Sequence, residues 1–330
     1  MEGSKSYVLL FIYNELKEGK VVTKESILNK FKINERTFYR YIKEIKDFVS
    51  DESKQSNGEL VSDEVIADRD GYILKVKNGK CLNEKEVLAI SKVLLESRGF
   101  VETEIKGMIS NLLNNCMCED KENIKFIIGN ELANYISPQH GKELLDKLWQ
   151  ISNSIKNQTI LEIEYCKLGI DGKMQNETSK RIIYPQGLLF SEYYFYLIGF
   201  IEGKNHKYPT IFRVDRIKEL INTDKKYKVD YSKRFQDGEF RKLIQFMQAG
   251  ELEHIQFRFT GGSIEAVLDR LPNAKVVKEK QGEYIVDANM FGKGIKMWLL
   301  SQGDFVEVLR PDNFREETIE TIEKMRMLYS

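Results

Sequence analysis

Between Asn34 and Val49 the chain sets Arg36, Thr37, Tyr39, Arg40 and Lys43 among the apolar residues Phe38, Tyr41, Ile42, Ile45, Phe48 and Val49. The apolar set is spaced 3, 1, 3, 3 and 1, the period of a helix with one buried stripe. The five polar residues then share the opposite face. The chemistry open to that face is recognition of a nucleic-acid duplex. An arginine fork takes two acceptors on a guanine edge, while Lys, Thr and Tyr hold phosphates and fix register. A second group lies between 163 and 234, where fourteen Lys/Arg face nine Asp/Glu, a balance of +5, among many tyrosines. Arginines and tyrosines on a sheet can grip phosphates and stack bases together, at about 1–3 kcal/mol per stacked base. The alternative for this group is structural: the aromatics fill a core and the arginines pair with Asp215 and Glu219.

The first group needs a scaffold, and the flanking sequence supplies one. Val8, Leu9, Ile12 and Leu16 mark a helix over 6–17 that ends at Gly19-Lys20. Thr23 is an N-cap for a short helix with Ile27, Leu28 and Phe31 inward, and Asn34 caps the third helix, Glu35 to about Val49. Two strand-like runs follow, 65–69 and 72–76, with Asp70-Gly71 as the hairpin signal. Arg69 and Lys75 stand near its tip, in reach of phosphate. A polar insert, Asp51 to Gly58, precedes the hairpin. Residues 1–46 hold ten Lys/Arg against six Asp/Glu, a balance of +4; residues 47–74 hold two against eight, a balance of −6. The basic character is therefore confined to the helices, as a major-groove reader requires.

Asn83-Glu84-Lys85-Glu86 has the form of a capping box, and helices are expected near 83–97, 103–116, 120–136 and 140–157. From Thr159 the period changes to two. Strands are expected at 159–165, 181–190, 193–200 and 210–217, with Ser191-Glu192 as a short turn. Short antiparallel strands joined by tight turns predict a small barrel. Arg213 and Arg216 are three apart, so they reach one pocket only if their strand ends or bulges near Asp215. Beyond 251 the order is strand, helix, strand, strand, helix, strand, with a last helix from Pro311 to about Leu328; that order is ferredoxin-like. Gly292-Lys293-Gly294 reads as a tight turn in preference to a phosphate contact.

Three regions resemble known families. Asn34-Glu35-Arg36-Thr37-Phe38-Tyr39-Arg40-Tyr41-Ile42 and Asp70-Gly71-Tyr72-Ile73-Leu74 resemble the winged-helix head of DeoR-type regulators, although Tyr41 stands where Asp is usual and the insert before the wing is longer. Residues 160–221 resemble the WYL domain of bacterial transcription regulators. The name-giving triplet reads Phe195-Tyr196-Leu197, with Tyr165, Arg181 before Pro185, Gly187-Leu188 and Phe212-Arg213-Val214-Asp215-Arg216-Ile217 in family order. The resemblance implies an Sm-like barrel that senses a ligand, in some members a nucleic acid or nucleotide, through Tyr165, Arg181, Tyr196, Arg213 and Arg216. Residues 251–330 resemble the C-terminal extension that often follows such domains, known as WCX, with Trp298 and Arg310-Pro311 in place and Leu299 where the family has Cys.

The expected architecture is α+β and multidomain: a winged helix-turn-helix (1–80), a helical linker or dimerisation region (81–158), the barrel (159–235) and a ferredoxin-like module (236–330). The expected function is a non-enzymatic, ligand-responsive regulator, a homodimer that binds double-stranded DNA and answers to a nucleotide or single-stranded nucleic acid. The alternative is a protein-interaction adaptor. In 330 residues 51 Lys+Arg balance 51 Asp+Glu, so no uniformly basic arm searches for DNA. Cys81, Cys116, Cys118 and Cys166 are too sparse for a disulfide framework, and His140, His206 and His254 are scattered. No metal, cofactor, catalytic triad, export signal or membrane span is expected, and the cytoplasm is the expected compartment.

Overall fold

Val8, Ile12 and Leu16 recur every four residues and are fully buried along α1 (Lys5–Lys17). They meet Ile27 and Phe31 of α2 (Lys24–Phe31) and Phe38, Tyr41, Ile42, Ile45 and Val49 of α3 (Glu35–Gln55) in one core. The computed structural model describes residues 4–17, 19–55, 64–75, 82–114, 121–168, 174–204, 208–229 and 235–330. Cys81, Cys116, Cys118, His206 and the side chain of Lys75 lie outside the described residues, as do 56–58 of the polar insert. Both caps form as expected: Thr23 Oγ1 accepts from the Ser26 amide at 3.2 Å and Asn34 Oδ1 from the Thr37 amide at 2.9 Å. Helix α3 runs past Val49 into the polar insert. Phe48, expected inward, is 50% exposed, because the 38-41-42-45-49 stripe already fills the core and leaves Phe48 edge-on to Tyr13 at the rim.

A hairpin follows, β1 (Glu64–Asp68) with β2 (Gly71–Lys75). Asp68 pairs with Gly71, so its turn is Arg69-Asp70 instead of Asp70-Gly71. Gly71 belongs to the strand for a steric reason. Val22, just before α2, exchanges two backbone hydrogen bonds with Tyr72, of 2.8 and 2.9 Å. A Cβ on Gly71 would stand 2.4 Å from the Val22 carbonyl oxygen. Next come α4 (Glu84–Ser97), α5 (Glu102–Asn114) and α6 (Lys121–Ala133). Asn83 and Glu86 close the capping box, each side chain accepting from the other's amide.

The chain divides into two compact units: 1–96 with 102–136, and 97–101 with 137–330. The stretch expected as one helical region, 81–158, is therefore split, with α7 (Leu145–Asn157) in the second unit. Helix α7 starts five residues later than the expected 140. Gly141 takes a φ of +60° and the Lys142 amide donates to His140 Nδ1, a turn in place of a first helical turn.

In the second unit β3 (Thr159–Leu168), β4 (Met174–Ser191), β5 (Tyr194–Ile201), β6 (Thr210–Arg213) and β7 (Ile217–Lys226) form an antiparallel sheet of order β6-β5-β4-β3-β7. Leu161, Ile163, Ile183, Leu197, Phe212, Val214 and Ile217 fill its core with Ile151 of α7. The strand expected over 210–217 is broken: it ends at Arg213, and Val214–Arg216 form a 3-10 turn into β7. Helix α8 (Asp237–Leu243), which no sequence periodicity announces, leads to the last sheet. There β8 (Leu252–Phe259), β9 (Lys275–Lys280), β10 (Glu283–Phe291) and β11 (Val306–Arg310) lie in the order β11-β8-β10-β9, with α9 (Ile264–Arg270), α10 (Gly294–Ser301) and α11 (Asp312–Met327) in the element order read from the sequence. Gly292 and Gly294 serve backbone packing: a Cβ on Gly294 would stand 1.9 Å from the Gln245 carbonyl oxygen.

Candidate functional site

Helix α3 presents Arg36, Tyr39, Arg40 and Lys43 to solvent, with Thr37 half-buried beside them. Two of its acids are engaged by other helices. Glu35 holds Lys24 of α2 at 2.8 Å and Glu44 holds Lys5 of α1 at 2.9 Å. The Lys24 ammonium, by hydrogen bond and charge, holds the Glu35 carboxyl below its ordinary pKa. Arg36, Arg40 and Lys43 have no ion-pair partner among the described residues. Neutralising the acids from behind leaves three uncompensated cations on one helical face, the arrangement phosphates require. Arg69 is exposed in the hairpin turn.

In the five-stranded sheet the five expected ligand residues fall into two half-sites that meet at the 3-10 turn. Tyr165 packs edge-on to Phe212, and the Arg181 guanidinium lies 5.9 Å from the Tyr165 ring centre and 5.7 Å from that of Phe212. Ser179 Oγ orients Arg181, accepting from its Nε at 3.2 Å. The Tyr165 hydroxyl accepts from the Arg213 amide at 3.2 Å. Burial pushes the Tyr165 pKa up, against the pull of the Arg213 amide and the adjacent Arg216 guanidinium. The Arg216 Nε is buried and has no hydrogen-bond partner. A buried guanidinium donor left open costs free energy until an acceptor arrives.

The other half-site is already paired. Tyr196 stands opposite Arg213 in the β5–β6 register, on the face away from Phe212. Arg213 donates from Nε and Nη2 to the two oxygens of Asp215, at 3.0 and 2.8 Å, and its carbon lies 3.3 Å from the centre of the Tyr194 ring. Side-chain exposures of 19% for Arg213 and 4% for Asp215 make this a largely desolvated pair. Burial opposes the Arg213 charge; the Asp215 carboxylate outweighs it, so the pKa is raised. Burial likewise raises the Tyr196 pKa. Because β6 ends at Arg213 and a 3-10 turn follows, strand alternation does not fix the direction of Arg216 relative to Arg213.

Sequence reasoning assigned no role to Tyr194, Lys142 or Lys147. Tyr194 sits in the aromatic run that the triplet interrupts, so only its alternation with Phe195 could have marked it. Lys142 donates to the Asp215 carbonyl at 2.9 Å and Lys147 to the Ile217 carbonyl at 2.6 Å, so the end of the 3-10 turn is held from α7 and the turn before it. Burial, and then Lys142, push the Lys147 pKa down. A separate cleft is lined by Lys180, Arg181, Lys204 and Glu202. Among the described residues no three His, Cys, Asp or Glu are placed to hold a metal ion, and no helix is long and apolar enough to cross a membrane.

A five-stranded sheet interrupted by a short 3-10 turn, with α7 against it, and a four-stranded α/β module after it in the chain define two β-rich domains. Residues 146–221 match the WYL domain family, and residues 251–326 match the WCX domain family. The chain thus carries a WYL domain that begins on α7, ahead of the strand at 159, and a WCX domain after it. Among solved structures it is similar to proteasome accessory factor B/C (PafBC) of Arthrobacter aurescens, with 13% identity and a TM-score of 0.27 over 96% of this chain and 45% of that one. It is also similar to a CRISPR Cas-related protein, with 10% identity and a TM-score of 0.35 over 98% of this chain and 83% of that one. The chain spans less than half the length of the PafBC chain. No curated protein sequence matches it.

Proposed function

We propose that the chain is a ligand-responsive transcription regulator. The first three helices and the hairpin act as a winged helix-turn-helix on duplex DNA, with Arg36 and Arg40 at base edges and Thr37, Tyr39, Lys43, Arg69 and Lys75 on phosphates. The observation that carries the reading is the uncompensated Arg36-Arg40-Lys43 face of α3, whose neighbouring acids are held by Lys24 and Lys5. The WYL sheet is read as an Sm-like barrel, its edge strands β6 and β7 joined by a 3-10 turn, and the WCX module as ferredoxin-like. The effector is an anion with stackable bases, a nucleotide or a short single-stranded nucleic acid. Arg181 and Arg216 meet its phosphate first, because Arg213 is neutralised by Asp215; Tyr165 and Tyr196 flank it. A homodimer would place two heads on two half-sites, and the effector acts by favouring one arrangement of those heads.

The test is a titration of labelled duplex, selected from a random pool, by fluorescence anisotropy at several salt concentrations. Phosphate contacts make log affinity fall linearly with log salt, by about 0.9 per phosphate neutralised. A flat salt dependence rejects DNA reading. It would favour the adaptor, for which Val93 (70% exposed) and Phe126 (85% exposed) on α4 and α6 offer an apolar contact surface.

A further inference from the structure

The loop between α4 and α5 packs with the sheet of the second unit. Residues 97–101 belong to the second unit, while both flanking helices belong to the first. The loop grips the β4–β5 hairpin. The Phe100 ring lies 5.2 Å from Phe195, which lies 4.8 Å from Phe190. Gly99 passes so close to Phe190 that a Cβ there would stand 2.6 Å from the ring. Arg98 takes a left-handed φ of +46° and sets its guanidinium 5.4 Å from the Tyr193 ring. A non-glycine residue held in that conformation is over-determined by its surroundings. Phe100 and Val101 are each 8% exposed.

The same hairpin carries part of the effector site. Along β5, Tyr194 and Tyr196 point to one face and Phe195 to the other. Tyr194 covers the Arg213 guanidinium, and Tyr196 stands opposite Arg213. An anion that draws Arg213 off Asp215 must disturb the Tyr194 stack, and the next residue, Phe195, is the one Phe100 touches. Packed aromatic clusters adopt discrete arrangements instead of deforming continuously. We infer that loop 97–101 is a coupling strap: it senses the state of the β4–β5 hairpin and, through its covalent ends, passes it to α4 and α5. The inference rests on the effector reading above and adds the route by which occupancy is felt outside the sheet.

Amide hydrogen exchange on the full chain tests it. In the wild-type background, Tyr194→Ala should speed exchange at the end of α4 and the start of α5 by about fivefold, within the range of residue coupling energies. In a Phe100→Ala background the same change should have less than about twofold effect. Phe100→Leu, which keeps most of the bulk, replaces it if the alanine variant does not fold. Equal responses in both backgrounds, or none in either, overturn the strap. A parallel arm adds oligo(dT) of about ten nucleotides, inside the site size of small barrel folds. A wild-type chain that ignores this probe and mononucleotides rejects the effector reading, while the ligand-free exchange comparison still decides the strap.

Discussion

The arginines of α3 and those of the WYL sheet are held in opposite ways. On α3, Arg36 and Arg40 are solvated, without acidic partners among the described residues, and their neighbours Glu35 and Glu44 are occupied by lysines. In the sheet, Arg213 is desolvated, bidentate on Asp215 and stacked on Tyr194, and Arg216 has a buried donor left over. The first set is free of acidic partners among the described residues, and under the proposed function it would be ordered on binding. The second is ordered already, and under the same reading it would have to be released from, or completed by, its ligand. A fast, salt-sensitive contact suits the first arrangement; a selective switch suits the second.

The largest effect that can break this contrast is on stability. Asp215→Ala leaves Arg213 charged and buried without its partner, expected to cost about 3 kcal/mol, read as a lower denaturation midpoint; Arg40→Ala should shift the same midpoint by less than about 0.5 kcal/mol. Similar losses for both would erase the distinction. Next, the double change Arg36→Ala with Arg40→Ala should weaken duplex binding by about a hundredfold or more, at 1–3 kcal/mol for each good bidentate contact. It should also make the salt slope shallower by one to two units. Unchanged anisotropy titrations would remove α3 from DNA binding. A smaller effect separates the two half-sites. Arg216→Ala should lower oligo(dT) affinity about tenfold yet leave thermal stability within about 1 kcal/mol, since it removes an unsatisfied donor; the reverse pattern would make Arg216 a structural residue.

The smallest effect concerns pH. Burial pushes the Tyr227 pKa up to about 12, and its hydroxyl donates to the Pro185 carbonyl. A folded-state value above the unfolded one means the sheet is favoured by the protonated phenol. That stability is complete below about pH 10 and lost as pH rises through 12, a change of order 1 kcal/mol. Urea midpoints for Tyr227→Phe should lack this alkaline decline; the same decline in both chains would assign it to other groups.

What was legible in the sequence followed from local physics. Thr23, Asn34 and the Asn83–Glu86 box cap helices because capping involves residues three apart. The α3 stripe and the strands at 181–190 and 193–200 were readable from period alone. Arg181 stands beside Tyr165, while the Arg213 guanidinium is held on Asp215 and Tyr194; the spacing of Arg213 and Arg216 made a shared pocket conditional on a break, and the strand does end at Arg213. Three things were hidden because they depend on distant contacts, and a fourth because it is too short to show a period. Phe48 fits the period but finds the core full. The wing turn shifted by one residue because Val22, some fifty positions away, needs the space above Gly71. The ownership of loop 97–101 depends on Phe190 and Phe195, nearly a hundred residues on. Helix α8, seven residues long, shows too little periodicity to be read.

One backbone contact bears on how the amino-terminal head can move. Val22 lies next to the Thr23 cap of α2 and is hydrogen-bonded twice to Tyr72 in the hairpin. The hairpin is thus anchored beside its turn to the start of the helix pair, so its tip is not a free finger. The span from the α3 front to Arg69 is set when this unit folds, so under the proposed function the duplex it meets must already have a matching width.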